Sequence, residues 1–144
     1  REMGITAVIA AGDTWENATI IENAGADAEG VVLSTFFDEA APANDEAASF
    51  IKGFKEYLVS IGEPDIIPAV SALGYDAYLC LLQAIKDADS TDPAAVRDAL
   101  ENVSVTGVTG DITFNETGDA NKSLAFIKTI KDGQFQFLTT TTLE

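Results

Sequence analysis

The sequence predicts an α/β protein that begins with two parallel strands connected by a helix. Two short apolar runs, at residues 5–10 and 31–36, are rich in β-branched side chains, which is typical of buried strands. Between them, residues 14–24 follow a helical pattern that ends at Gly25. Because strand, helix and strand fit within about thirty residues, we expect a right-handed βαβ unit with parallel strands.

The turn after the first predicted strand is the first candidate for a ligand site. In sheets of parallel strands, ligands bind beyond the carboxyl ends of the strands. This turn carries Gly12, the carboxylate of Asp13, the hydroxyl of Thr14 and the large aromatic ring of Trp15. An alternative interpretation is helix capping, because Asp13 followed by Glu16 three residues later matches a capping box. The residues alone leave both roles of Asp13 open.

The middle of the chain predicts three helices after a polar loop. Their predicted bounds are 45–61, 69–87 and 93–102. The first is amphipathic and the second is apolar nearly all round, so the second should be buried on several sides. Asp76 is a carboxylate in the apolar first half of that helix, and we expect it to cap or to pair locally. The third helix begins with Asp92 as its N-cap and Pro93 as its first residue.

The last third of the chain changes to the pattern of strands. A glycine-interrupted strand or hairpin arm is predicted at residues 107–114. Two further runs, at 124–131 and 134–138, flank Asp132 and Gly133, a strong signal for a two-residue hairpin turn.

Composition excludes several classes of function. The 144 residues include 24 acidic and 8 basic ones, a net charge of −16, which repels nucleic acids and anionic membrane surfaces. The chain has no histidine and a single cysteine, Cys80, which removes His-dependent catalysis, zinc sites and internal disulfides. The polar loop at 115–122 alternates like a calcium loop but lacks its bidentate Glu. We therefore expect no enzyme, no cofactor and no metal.

Five strings of the sequence, taken in order, carry a resemblance to a known family. They are AAGDTW at 10–15, AEGVVLSTFF at 28–37, GYDAYLCLLQAI at 74–85, PAAVRDAL at 93–100 and GVTGDITFNETGD at 107–119. Together they resemble the C-terminal part of the type I periplasmic binding proteins that serve branched-chain amino acid transporters. The resemblance covers essentially the whole chain.

The resemblance implies a periplasmic binding protein-like I fold of two α/β lobes, with this chain holding parts of both. Residues 1–37 would end the C-terminal lobe, residues 38–116 would belong to the N-terminal lobe, and residues 117–142 would cross back and form a terminal hairpin. Residues 143–144 are typical of a cloning scar. A chain that holds only parts of two lobes should leave apolar surface uncovered. We expect this surface to be covered by the upstream chain or by a second copy of the chain in a dimer.

In function, the resemblance implies the extracytoplasmic substrate-binding component of an ABC transporter. Such a protein holds a small amino acid between its lobes and delivers it to the permease, in the periplasm or outside the cell, with any lipid anchor upstream of this chain. The alternative is a ligand-sensing domain of a receptor or regulator with the same fold. A nucleotide-using enzyme is disfavoured, because AAGDTW lacks the glycine pattern of a phosphate loop.

The resemblance also assigns residues to the ligand site. Asp13 takes the position of an acidic residue that binds the ammonium group of the ligand, and a charge-assisted hydrogen bond of this kind is strong. Thr14 and Trp15 belong to the same turn, with a lobe contact as the alternative role of Trp15. Tyr75 matches an aromatic residue at the cleft, with a core tyrosine as the alternative. The groups that bind the ligand's carboxylate are expected upstream of this chain.

Overall fold

A computed structural model of the chain describes residues 3–142. The strands are β1 (Ala10–Ala11), β2 (Val32–Thr35), β3 (Val105–Gly107), β4 (Gly110–Phe114), β5 (Ala120–Asn121), β6 (Leu124–Lys131) and β7 (Gln134–Thr142). The α-helices are α1 (Ala18–Ala24), α2 (Asp45–Ser60), α3 (Ala69–Ala88) and α4 (Pro93–Leu100). The predicted cloning scar at 143–144 lies outside the described residues.

The first sheet combines both ends of the chain. Its strand order is β1-β2-β6-β7. β1 and β2 are parallel and are joined by α1, which confirms the predicted βαβ unit. The pairs β2–β6 and β6–β7 are antiparallel, so the terminal hairpin completes the sheet that the βαβ unit begins.

The first strand is shorter and more exposed than its apolar sequence predicts. Only Ala10–Ala11 pairs with β2. The predicted buried strand over residues 5–10 is wrong, because Ile5 is 51% and Val8 is 72% exposed. Within the described chain β1 is the edge strand of its sheet, so this apolar run has a neighbouring strand on one side at most.

The helix of the βαβ unit begins later than predicted, at Ala18 instead of residue 14. Its N-cap is Asn17, whose side chain accepts a hydrogen bond of 2.9 Å from the backbone N–H of Thr19. Gly25 ends the helix as predicted, with a φ of 54° that favours glycine.

The predicted terminal hairpin is confirmed, and its second strand is longer than the predicted 134–138. Asp132 and Gly133 have φ values of 54° and 69°, as a type I′ turn requires. Glu29 fixes this turn, because its carboxylate accepts hydrogen bonds from the backbone N–H groups of both turn residues, at 3.1 and 2.7 Å.

The middle of the chain forms a second unit, in which α2, α3 and α4 accompany a sheet of order β3-β4-β5. The three predicted helices are confirmed, with Asn44 capping α2 and Asp92 capping α4. The segment predicted as one strand or hairpin arm at 107–114 is a hairpin of β3 and β4. A cluster of buried apolar side chains joins this unit to Phe37, at the end of β2.

Large apolar side chains are exposed on α2, α3 and the segment between them. They are Tyr57, Val59, Ile61, Ile66, Val70, Tyr78 and Leu81. Uncovered apolar surface is what we expect of a chain that holds parts of two lobes, and the identity of the covering chain stays a prediction. None of the helices within residues 3–142 combines the length with the hydrophobicity that crossing a membrane requires.

Candidate functional site

The candidate ligand turn lies directly after β1, at the carboxyl end of the parallel pair. Residues Asp13–Trp15 form one turn of 3₁₀ helix whose N-cap is Gly12. The backbone N–H of Glu16 closes the turn on the carbonyl of Asp13 at 2.9 Å. The predicted capping box of Asp13 and Glu16 is wrong, because this turn is separate from α1 and no side chain caps it.

The carboxylate of Asp13 is available to a ligand. Asp13 is half-buried. Among the residues that the structure describes, none donates a hydrogen bond to this carboxylate or forms an ion pair with it. Thr14 is exposed and Trp15 is 39% exposed, so both also face accessible space. A partly buried carboxylate is stabilised by a cationic partner, which makes this turn suited to an ammonium group.

A buried charge cluster follows the turn immediately. The Nζ atom of Lys128 forms ion pairs with Glu16 and, at 2.9 Å, with Asp38 Oδ2. The hydroxyl of Thr35 donates a hydrogen bond of 3.4 Å to Glu16 Oε2. The charged side chains of Lys128, Glu16 and Asp38 are 6%, 10% and 6% exposed. The cluster thus connects the ligand turn, the end of β2 and the middle of β6.

Lys128 occupies a position on β6 at which the alternation of the strand predicts a buried apolar side chain. Phe126, Lys128 and Ile130 alternate with less buried residues and face the same side of the sheet, and each is at most 5% exposed. A lysine in a strand that lies two residues from a buried apolar residue on either side indicates a buried ammonium group that pairs with a carboxylate. Lys128 and Asp38 were not among the predicted site residues, and Glu16 was expected only as part of a capping box.

A β-bulge lies opposite this lysine. Ile127 pairs with Thr139, whereas Lys128 pairs with Phe137, so Leu138 is an extra residue on β7. Bulges bend a strand locally and redirect side chains, and they are common beside functional sites.

Asp38 ties the cluster to the place where the chain leaves the first sheet. Its Oδ1 atom accepts a hydrogen bond of 2.8 Å from the backbone N–H of Ala40, while its Oδ2 atom faces Lys128. Phe37, the residue before it, is buried in the core of the second unit. One carboxylate therefore contacts both the first sheet and the connection to the second unit.

Tyr75 lies on α3, in the second unit, and not on the elements that hold the ligand turn. Its ring packs against Phe50 with centroids 4.9 Å apart. Together with Phe54, Tyr57 and Ser71, these residues line an open apolar groove. Tyr75 is thus partly buried at the edge of a core, and its role at a cleft stays a prediction.

Asp76 pairs across the fold instead of locally, which corrects the expectation for it. Its carboxylate accepts hydrogen bonds from the backbone N–H groups of Val108 and Thr109, at 2.7 and 2.9 Å, and from the Thr109 hydroxyl at 2.5 Å. This carboxylate holds the turn between β3 and β4. The contact requires glycine at position 107, because a Cβ there would lie 2.3 Å from Asp76 Oδ1.

Two ionisable groups beside Asp76 have shifted pKa values. Burial, followed by the charge of Asp76, raises the pKa of the Cys80 thiol. Burial lowers the pKa of Lys122, whose ammonium donates a hydrogen bond to the Thr109 hydroxyl. A neutral buried thiol is a poor nucleophile, so this group of residues has a structural character.

The first part of the polar loop, residues 115–119, is a turn between β4 and β5, as the missing calcium-loop glutamate indicates. The side-chain oxygen of Asn115 accepts hydrogen bonds from the backbone N–H groups of Thr117 and Asp119, at 3.0 and 2.9 Å. Within residues 3–142, no group of three or more His, Cys, Asp or Glu side chains is arranged to hold a metal ion.

Several solved structures similar to this chain are named as leucine-binding or substrate-binding proteins. A leucine-binding protein, LivK, from Thermotoga maritima matches with 32% identity and a TM-score of 0.83, over 98% of this chain and 39% of its own. An ABC transporter substrate-binding protein from Desulfitobacterium hafniense, solved in complex with Leu, matches with 29% identity and a TM-score of 0.73, over 95% of this chain and 37% of its own.

The branched-chain amino acid binding protein LivJ from Streptococcus pneumoniae, solved with isoleucine, shares the fold at 22% identity. Its TM-score is 0.76, over 99% of this chain and 39% of its own. The chain thus spans about two fifths of the length of these structures. A comparison with curated proteins finds no match. The family described as periplasmic binding protein matches residues 1–134. The chain therefore belongs to the periplasmic binding protein family and has its α/β fold, as the resemblance predicts.

Proposed function

We propose that this chain is part of the extracytoplasmic substrate-binding component of an ABC transporter and contributes to a site for a small, branched-chain amino acid. The observation that carries the proposal is the half-buried carboxylate of Asp13 at the carboxyl end of the parallel strands, which has no partner among residues 3–142. The similar structures named for leucine binding, or solved with Leu or Ile, support the choice of ligand class.

In this proposal, Asp13 binds the ammonium group of the amino acid. A carboxylate–ammonium contact in a partly dehydrated site is a charge-assisted hydrogen bond, which is about twice as strong as a neutral one. Thr14 and Trp15 form the wall beside it, because they lie on the same 3₁₀ turn. Tyr75 would meet the ligand from the other lobe. The ligand's carboxylate would bind to parts of the family fold that this chain does not include.

Ligand capture would close two lobes around the amino acid. The described residues up to 37 and the terminal hairpin at 124–142 share one sheet, and the intervening residues form the second unit. Movement would take place at the two connections between them, near residues 36–38 and 117–122. The closed form would present a different surface to the permease, and binding and release would require no catalysis.

A thermal-shift screen of the full-length protein that contains this chain tests the proposed function. L-Leucine, L-isoleucine or L-valine at 100 times its Kd should add about 2.7 kcal/mol to the free energy of unfolding. That stabilisation raises the melting temperature by several degrees. A flat response to all L-amino acids would contradict amino acid binding and leave the fold assignment intact.

A further inference from the structure

Glu16, the residue that directly follows the candidate ligand turn, is fixed twice. The backbone N–H of Glu16 closes the 3₁₀ turn on Asp13, and the Glu16 side chain is 10% exposed and bound to Lys128 and Thr35. A large displacement of the Glu16 backbone is therefore opposed by a buried ion pair. Asp13–Trp15 lie directly before this anchored residue.

Lys128 is well placed to be that anchor. Its neighbours on the inward face of β6, Phe126 and Ile130, are buried apolar residues that restrict its side chain. A buried ammonium is costly without partners, and here two carboxylates, those of Glu16 and Asp38, share it. Replacing a buried ion pair by apolar residues is often neutral for stability, so such a cluster points to a role in fixing a conformation.

We propose that Lys128 is a positioning residue for the ligand site, holding the turn Asp13–Trp15 in place by binding Glu16 and Asp38 at once. Asp38 lies where the chain leaves the first sheet, so the same ammonium connects the turn to the connection between the two units. The part of this inference that concerns ligand affinity rests on the proposed function, whereas the fixing of the turn does not.

The test uses Trp15, the only tryptophan in the chain, as a reporter of the turn. The variant is Lys128→Met, which keeps the length and packing of the side chain and removes its charge. Acrylamide quenching of Trp15 should rise by about twofold, because the turn opens locally once its anchor is lost. In the full-length protein, the Kd for L-leucine should rise by about tenfold, or about 1.4 kcal/mol.

Two further variants distinguish positioning from general destabilisation. Lys128→Arg keeps the charge and should retain most of the wild-type quenching and affinity. Lys55→Met removes a different ion pair, that of Lys55 with Glu39 at 3.2 Å in the second unit, and should change neither. If Lys128→Met fails to fold, Glu16→Gln replaces it and should increase the quenching of Trp15 in the same way.

The inference is overturned if Trp15 quenching in Lys128→Met, or in Glu16→Gln as its substitute, equals that of the wild type. It is also overturned if Lys55→Met has the same effect. Failure of the proposed function gives a different result from failure of this inference. The wild-type protein would then bind no amino acid, but Trp15 quenching would still report whether Lys128 holds the turn.

Discussion

At the scale of single residues, the close approach of Asp76 to Gly107 is a sharp constraint on the sequence. A Cβ at position 107 would lie 2.3 Å from Asp76 Oδ1 and 2.5 Å from its Cγ. The carboxylate cannot easily move aside, because hydrogen bonds from Val108 and Thr109 hold it. The packing of α3 against the turn between β3 and β4 therefore requires a residue without a side chain, glycine, at position 107.

Gly107→Ala should consequently destabilise the protein by about 2–3 kcal/mol, since overpacking a buried contact forces the backbone or the carboxylate to shift. Urea denaturation followed by circular dichroism measures this loss. Gly53→Ala is the matched control, because Gly53 lies within α2 and a Cβ there meets no atom within 4 Å. The control should be stabilised by about 0.5–1 kcal/mol, and equal losses in both variants would contradict the account of Gly107.

Single residues also show how much of the site could be predicted. The turn with Asp13, Thr14 and Trp15 was predictable because strand, turn and helix signals are local. Glu16 and Lys128 lie 112 residues apart, and nothing local indicates that they meet. The alternation around Lys128 shows that a charge faces the core, but only the sheet order identifies its partners.

At the scale of elements, the start of α1 excludes helix capping, one of the two interpretations of Asp13. The capping interpretation makes Asp13 the N-cap of this helix, whereas the helix uses Asn17. Asp13 instead begins a 3₁₀ turn, where its carboxylate makes no capping bond. The helix therefore does not need Asp13.

Asn17→Ala should lower the free energy of unfolding by about 1 kcal/mol, the usual loss when an N-cap side chain is removed. Asp13→Ala should leave stability within about 0.5 kcal/mol of wild type, as is usual for substitutions without a packing or capping role. Chemical denaturation of both variants under the same conditions makes the comparison. A larger loss in Asp13→Ala than in Asn17→Ala would restore the capping interpretation.

Elements with strong periodicity were the most predictable. The amphipathic pattern of α2, the apolar sequence of α3 and the Asp-Pro start of α4 each specify a helix from local residues. β1 was predicted poorly, because an apolar run becomes a strand only over the residues that find a partner, here Ala10–Ala11. Strand pairing is a tertiary event, and composition does not fix its extent.

At the scale of the whole molecule, the chain links two units by two connections, and each connection carries a buried or half-buried lysine contact. Lys128 pairs with Asp38 beside the first connection, and Lys122 on the second donates a hydrogen bond to Thr109. The order of the strands, with the terminal hairpin beside β2, required knowledge of the family, since no local pattern places residues 124–142 next to residues 32–35.

The proposed contact between Asp13 and the ammonium group of an amino acid can be tested with a matched pair of ligands. L-Leucine and 4-methylpentanoate share a carbon skeleton, and only leucine carries the ammonium. Calorimetric titration of the full-length protein with both compounds gives a ratio of Kd values for the wild type, for Asp13→Asn and for Asp65→Asn. Asp65 is exposed in the loop after α2 and serves as the control.

The wild type should prefer leucine by about 100-fold or more, because the analogue leaves the half-buried carboxylate of Asp13 unpaired. Asp13→Asn should reduce this preference by about tenfold or more, the value of a hydrogen bond to a charged group, and Asp65→Asn should leave it unchanged. An unchanged preference in Asp13→Asn would contradict the claim, and so would a wild-type protein that binds both compounds equally.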